Sequence, residues 1–339
     1  MISYIDSTQK QKEFLIKSIF QWDRSKARVL NIKTVPYNES NIFIDIIMEY
    51  ITSRKKVLYV CNEKKGFETL QKSLRQKEMS DCFSEGDIDQ INLDAPLNMV
   101  LTEQLLEASV KYDLVIYDDA VAYSKYSKFE ILDLLGKFYK SKIKIICRSM
   151  ETIFQNAPVI DMPIGANGMP IPEPRIITTR VDLEHEIPSM IYEYIDWSLL
   201  SGKNVMIFVP NEDTAQNLSV YLENFKDSLC SNIHKFIKGV KVSSIKKCMA
   251  SDKVILVTDS IESLSLASKD TDFIVYSTED KIYDYKMLTY ICSKTCNPDS
   301  IKLGEVIFLS KDVSRDMENC KEIIRGFNKL AWEKGLLYI

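Results

Sequence analysis

Short apolar runs rich in β-branched residues alternate with longer stretches whose apolar positions recur every three or four residues, almost from end to end. The first pattern reads as buried strands and the second as amphipathic helices, so their alternation predicts βα units around parallel sheets. In the first half, strands are expected at Ala27 to Ile32, Lys56 to Cys61, Asp89 to Leu93, Asp113 to Tyr117 and Lys142 to Cys147. Helices are expected between them at Asn41 to Ile51, Gly66 to Arg75, Leu97 to Lys111 and Lys128 to Tyr139. The second half repeats the grammar, with strands at Arg175 to Thr179, Asn204 to Val209, Lys253 to Thr258, Asp272 to Tyr276 and Glu305 to Leu309. Its helices are expected at Pro188 to Leu200, Asp213 to Asn224, Tyr283 to Cys292 and Arg315 to Lys334.

Between the halves, Pro158, Pro163, Pro170, Pro172 and Pro174 fall close together with Gly165 and Gly168. Each proline biases its predecessor away from the helical region, so this segment reads as an extended linker. The expected division is therefore a first α/β domain over 1–157, a proline-rich linker over 158–174 and a second α/β domain over 175–339. A length of 339 residues agrees with two domains at roughly 100–200 residues each.

Composition changes the picture mainly by exclusion. Hydrophobic residues are 45% and charged residues 27%, which fits a globular protein and excludes a disordered or fibrous one. A net charge of -4 provides no general positive field, so any nucleic-acid site must be a local patch. The densest basic stretch is Lys235, Lys238, Lys241, Lys246 and Lys247; Lys125 and Lys128 among Tyr123 and Tyr126 form a smaller aromatic and basic strip. No glycine pair stands as G-x-G, so a dinucleotide-binding loop is absent. The amino-terminal residues carry no signal-like pattern and no run suits a membrane span, so a cytoplasmic protein without membrane insertion is expected. The eight cysteines form no C-x-x-C pair and there are two histidines, His185 and His234, so reduced structural thiols are expected and no metal site. The acidic Asp182 to Pro188 segment around His185 reads as a charge cluster at a helix start.

Candidate chemistry begins with DLVIYDDAVAY (Asp113 to Tyr123), an apolar strand ending in two carboxylates. That is the shape of a Walker B strand, where one acid holds Mg²⁺ and the next orients water. With the linker VIDMPIGANGMPIPEPRI (Val159 to Ile176), the stretch NVMIFVPNEDTAQNLSVYL (Asn204 to Leu222) and the tail GEVIFL followed by RGFNKLAWEKGLL, the chain resembles the competence DNA-import ATPase family, ComFA. The resemblance runs from Ser7 onward, without that family's amino-terminal zinc-finger segment. It implies a superfamily-two, DEAD-box-like helicase with two RecA-like lobes.

The resemblance also marks departures. Where the family carries its Walker A loop, this chain reads TVPYNESN, Thr34 to Asn41, with no glycine and no lysine; Ser40 is expected to act as a helix N-cap. Asp118 matches the Walker B Asp and Asp119 stands for the catalytic Glu. The lobe-coupling motif reads Arg148 to Met150, the Arg-Gly segment reads Asp259 to Leu266, and Lys294 and Asn297 stand where the arginine-finger helix has Arg. The resulting expectation is a catalytically degenerate helicase-like subunit, binding nucleic acid or protein in DNA uptake or processing, with no cofactor. The alternatives are a divergent ATP-dependent translocase that holds Mg²⁺ on Asp118 and Asp119 and phosphates on Lys33 or backbone N–H from Val35 to Ser40, and a protein-docking scaffold that binds no single-stranded DNA.

Overall fold

The computed structural model describes residues 2–77, 79, 82–86, 92–108, 111–141, 143–165, 168–183, 186–225, 229, 232–240, 245, 253–267, 270–296 and 304–337. The chain divides into two compact units, one of residues 1–169 with 330–339 and the other of residues 170–329.

In the first unit, α1 (Ile2–Asp23) precedes β1 (Val29–Thr34), α2 (Ile44–Thr52), β2 (Val57–Cys61), α3 (Lys64–Gln76), β3 (Phe83–Glu85), β4 (Leu97–Leu101) and β5 (Leu114–Asp118). Then come α4 (Lys128–Lys140), β6 (Lys144–Ser149) and β7 (Val159–Met162). The strands form one sheet in the order β3-β4-β2-β5-β6-β1-β7, every neighbouring pair parallel. Its central strands are apolar along their whole length because both faces are covered. Leu15, Ile19, Tyr59, Leu70 and Ile116 pack on one side, and Val60, Val115, Ile131, Leu135 and Phe138 on the other.

The second unit holds β8 (Arg175–Thr178), α5 (Ser189–Leu200), β9 (Asn204–Phe208), α6 (Glu212–Glu223), β10 (Asn232–Phe236), β11 (Val254–Thr258), β12 (Thr271–Tyr276), α7 (Tyr285–Lys294) and β13 (Val306–Ser310). Helix α8 (Arg315–Glu333) follows. Its sheet runs β10-β11-β9-β12-β13-β8, again wholly parallel. The expected α/β class with two mainly parallel sheets is therefore what the chain adopts. Among the described residues no helix is long and apolar enough to cross a membrane.

Several elements differ from the pattern-based expectation. The helix expected over Leu97 to Lys111 is instead strand β4, followed by a short 3-10 turn at Thr102–Gln104. LNMVL is too short for its period to separate helix from buried strand, and pairing with Val57 to Cys61 decides for the strand. In the strand expected at Asp89 to Leu93, residues 89–91 lie outside the described residues, while Asn92 lies in a turn, accepting from the Ala95 N–H at 3.0 Å. Four residues of the proline-rich segment form β7 and pair with Asn31 to Thr34. Helix α1 escaped notice because STQKQKE hides the spacing of Leu15, Ile19 and Trp22, and β10 because NIHKF is a half-polar edge strand.

One close approach in the second unit has a measurable consequence. A Cβ on Gly304 would sit 2.5 Å from the Thr271 carbonyl oxygen and 3.2 Å from the Thr295 side chain. Gly304→Ala is expected to cost about 1–3 kcal/mol through overpacking, read as a lower denaturation midpoint; an unchanged midpoint overturns the assignment.

Candidate functional site

The carboxyl ends of β1, β5 and β6 meet at one point of the first sheet. Asp118 closes β5, and the parallel register sets it beside Arg148 of β6 and Cys61 of β2. Registered neighbours in a parallel sheet point to the same face, which is why the carboxylate and the guanidinium meet. The Arg148 Nε donates to Asp118 Oδ1 at 2.7 Å and Nη2 to Oδ2 at 2.6 Å, both side chains being fully buried. Asp118 Oδ2 also accepts from Ser40 Oγ at 2.9 Å and from Tyr59 Oη at 2.7 Å. The Ala120 N–H reaches Oδ1 at 3.3 Å. A carboxylate offers about four acceptor sites, so this one is saturated.

The remaining guanidinium donors turn toward the 34–41 loop. Arg148 Nη1 donates to the Glu39 carbonyl at 2.7 Å, and Nη2 to the Asn38 carbonyl at 3.2 Å and to Ser40 Oγ at 3.0 Å. The Phe43 ring lies 5.2 Å from the guanidinium carbon. Tyr37 takes a positive φ of 59°, and its N–H donates to the Ala120 carbonyl at 2.7 Å. Asn38 is tied through Nδ2 to Thr34 Oγ1 at 3.1 Å and to the Ile164 carbonyl at 3.0 Å. The loop thus presents two carbonyls to a resident cation. Burial first, and the Asp118 charge second, hold the Tyr59 phenol far above its ordinary pKa, so it remains a donor. The same two causes push up the Cys61 thiol.

Asp119, also fully buried, belongs to a second chain of contacts. Its Oδ1 accepts from Asn62 Nδ2 at 2.9 Å and its Oδ2 from Ser149 Oγ at 3.3 Å, while Thr102 Oγ1 donates to Asn62 Oδ1 at 2.6 Å. Sequence reasoning placed the two acids together, named Arg148 only as a departure in the lobe-coupling motif without its pairing to Asp118, and missed Tyr59 and Asn62. The available signal was an Arg directly after the apolar IIC run of the KIICRS strand. Ser40 is corrected: Glu39 occupies the cap position, no side chain caps the turn, and the Ser40 hydroxyl serves the carboxylate.

The other candidates disperse. Lys33 lies within β1, in register with Ser149 and Asp161. Tyr123, Lys125 and Tyr126 line a cleft of about 240 Å³ with Asn62, Thr102 and Glu103, whereas Lys128 starts α4 and borders a different groove. Lys235 ends up on edge strand β10, its ammonium bonded to Gln216, and Lys238 is exposed just beyond that strand. Lys241, Lys246, Lys247, Asn297 and His185 lie outside the described residues. Lys294 is in the last turn of α7, and Ser260 caps the 3-10 turn at Ile261–Leu266. Cys61, Cys147, Cys292 and Cys320 are buried and outside any disulfide, and no group of residues suited to a metal occurs among the described residues.

No family model matches the chain. Competence protein ComFA of Bacillus subtilis (strain 168) is 21% identical over 252 residues, covering 70% of this chain and 53% of that protein. The chain thus spans about half the length of this curated relative. Among solved structures, S. cerevisiae Dbp5 bound to RNA and ADP BeF3 superposes with a TM-score of 0.53 at 10% identity, over 90% of this chain and 87% of that one. The two wholly parallel sheets have the fold of two RecA-like domains, and in sequence the chain is similar to ComFA.

Proposed function

We propose that this chain is a helicase-like binding subunit of DNA uptake or processing that works without hydrolysing ATP and takes no cofactor. The observation that carries the reading is the saturation of Asp118 by Arg148, Tyr59 and Ser40. Mg²⁺ in such sites is held by one or two carboxylates, water and substrate phosphates, and here the guanidinium takes the place beside the carboxylate. A phosphate cradle offers backbone N–H groups to an anion, whereas the 34–41 loop aims the Asn38 and Glu39 carbonyls at a cation. The residues present do not fit Mg-ATP. The RecA-like lobes and the Dbp5 likeness support single-stranded nucleic acid as the partner, because such contacts go mainly to backbone phosphates and do not need the nucleotide site.

Two titrations test this. Ligand at a hundred times its dissociation constant stabilises a protein by about 2.7 kcal/mol, so millimolar Mg-ATP is expected to leave the melting curve unmoved. A clear shift that Asp119→Asn removes overturns the reading in favour of an ATP-driven translocase. Single-stranded DNA is expected to bind with a shallow salt dependence, each neutralised phosphate contributing about -0.7 to the log-log slope. Changing Lys235 and Lys238 to Glu should flatten it further. Undetectable binding at low salt assigns the chain to protein docking alone.

A further inference from the structure

Helix α4 carries Phe129, Leu132, Gly136 and Tyr139 at spacings of three and four residues, hence on one stripe. With Ala27 to Val29 and the 153–158 loop, this stripe borders an open groove of about 630 Å³. Phe129 is 76% exposed and Tyr139 45%. Tyr139 stacks on Phe154 at 6.0 Å between centroids and receives the Arg28 guanidinium 5.1 Å from its ring, so the aromatic wall is held in place. A Cβ on Gly136 would meet nothing within 4 Å. Among the described residues no contact requires glycine there, although glycine within a helix costs about 1 kcal/mol. It leaves a dent in which a foreign side chain can seat. Among the described residues, the charged ones lining the groove are Arg28 and Lys128, with no carboxylate.

Helix α5 of the second unit has the complementary character. Ile191, Ile195, Ser198 and Leu199 are buried against their own sheet, while Met190, Trp197 and Leu200 are 59%, 50% and 71% exposed. Half-buried Tyr194 continues this outer stripe, its ring 5.8 Å from that of Trp197. The helix, SMIYEYIDWSLL, contains Glu193 and Asp196 and no Lys or Arg. An acidic, aromatic helix face thus exists on the same chain as a cation-rimmed apolar groove.

We propose that α5 of one copy docks into the α4 groove of a second copy. The charges set the orientation of the encounter, and Trp197 and Leu200 are the anchors. Because the two surfaces differ, the contact is head-to-tail: of the two joined copies one keeps an unused groove and the other an unused helix, and assembly propagates to a ring or an open chain.

Sedimentation velocity across a concentration series tests the proposal. The wild-type chain is expected to gain mass with concentration and lose it with added salt. Gly136→Arg fills the groove and Leu200→Glu spoils the helix face; both positions are solvent-facing, so unchanged circular dichroism and melting are expected. Each should weaken association by about 30-fold, the loss of one anchor. Mixing the two variants should yield a closed one-to-one dimer, since one supplies an intact helix and the other an intact groove. A wild-type chain that stays monomeric, substitutions that leave assembly unchanged, or a mixture that gives no dimer each overturns the proposal.

Discussion

Arg148→Ala is expected to destabilise the first unit by about 3–5 kcal/mol, because it strands the Asp118 carboxylate without its counter-charge in a fully buried setting. Loss of the guanidinium also leaves the Asn38 and Glu39 carbonyls without the partner that fixes the 34–41 loop. Against a total stability of about 5–15 kcal/mol, that loss is large enough to read directly from urea denaturation. Joint replacement by apolar residues, Arg148→Met with Asp118→Leu, is expected to restore much of the loss, since two desolvated charges disappear together. Tyr59 and Ser40 lose an acceptor in that variant, so recovery should be incomplete. A single-variant cost below about 1 kcal/mol, the range of exposed pairs, would show that the ion pair is hydrated and open to exchange with a metal.

The polarity of this site has the opposite sign to that of a phosphate cradle. Helix starts and glycine-rich turns collect anions because several N–H dipoles converge on one point. Here the converging groups are a carboxylate, two carbonyls and the Ser40 hydroxyl oxygen, and the group they hold is a guanidinium. Under the proposed function the pair fixes the 34–41 loop permanently, in the position where a helicase-like lobe would order its loop through nucleotide. Arg suits the task because its planar fork serves the carboxylate and the carbonyls together, which a lysine ammonium does not reproduce.

Much of the fold was legible because both faces of each sheet are covered, so the strands stand out as continuous apolar runs. VLYVC, LVIYD and VILVT are buried along their whole length and fall where the pattern placed them. Legibility failed where context outweighs local pattern. LNMVL became a strand by pairing with β2, and Val159–Met162 joined the sheet although four further prolines follow Pro158 within the segment. At the site, the two acids were visible from their place after an apolar strand. Arg148 and Tyr59 were not, because their role depends on sheet register and on which strands lie side by side. A linear pattern records the first neighbour along the chain and not the neighbour across the sheet.

Alkaline unfolding is the second large effect expected. Burial first, and nearby carboxylates second, raise the Tyr59 and Tyr117 phenols well above their ordinary value. Burial likewise raises the Cys61 thiol. In the other unit, burial chiefly raises Tyr283 and Cys292. A group whose folded pKa exceeds its unfolded one stabilises the fold fully below the unfolded pKa and loses that contribution as pH rises toward the folded value. The window therefore opens near pH ~8.5 for the thiols and pH ~10 for the phenols, and neutral pH lies below it. Each such group removes up to about 1.4 kcal/mol per pH unit above its unfolded pKa. Burial raises Tyr37, Tyr50 and Tyr112 in the first unit and Tyr194 and Tyr276 in the second as well, so the losses of several groups add in each unit above pH ~10. Denaturation curves at pH 8, 10 and 11 are expected to show stability falling steeply over the last step, with Tyr117→Phe making the slope of the first unit shallower. Equal stability at pH 8 and pH 11 would mean that these phenols ionise in the folded chain as readily as in the unfolded one, and would remove the account of Tyr59 as a permanently protonated donor to Asp118.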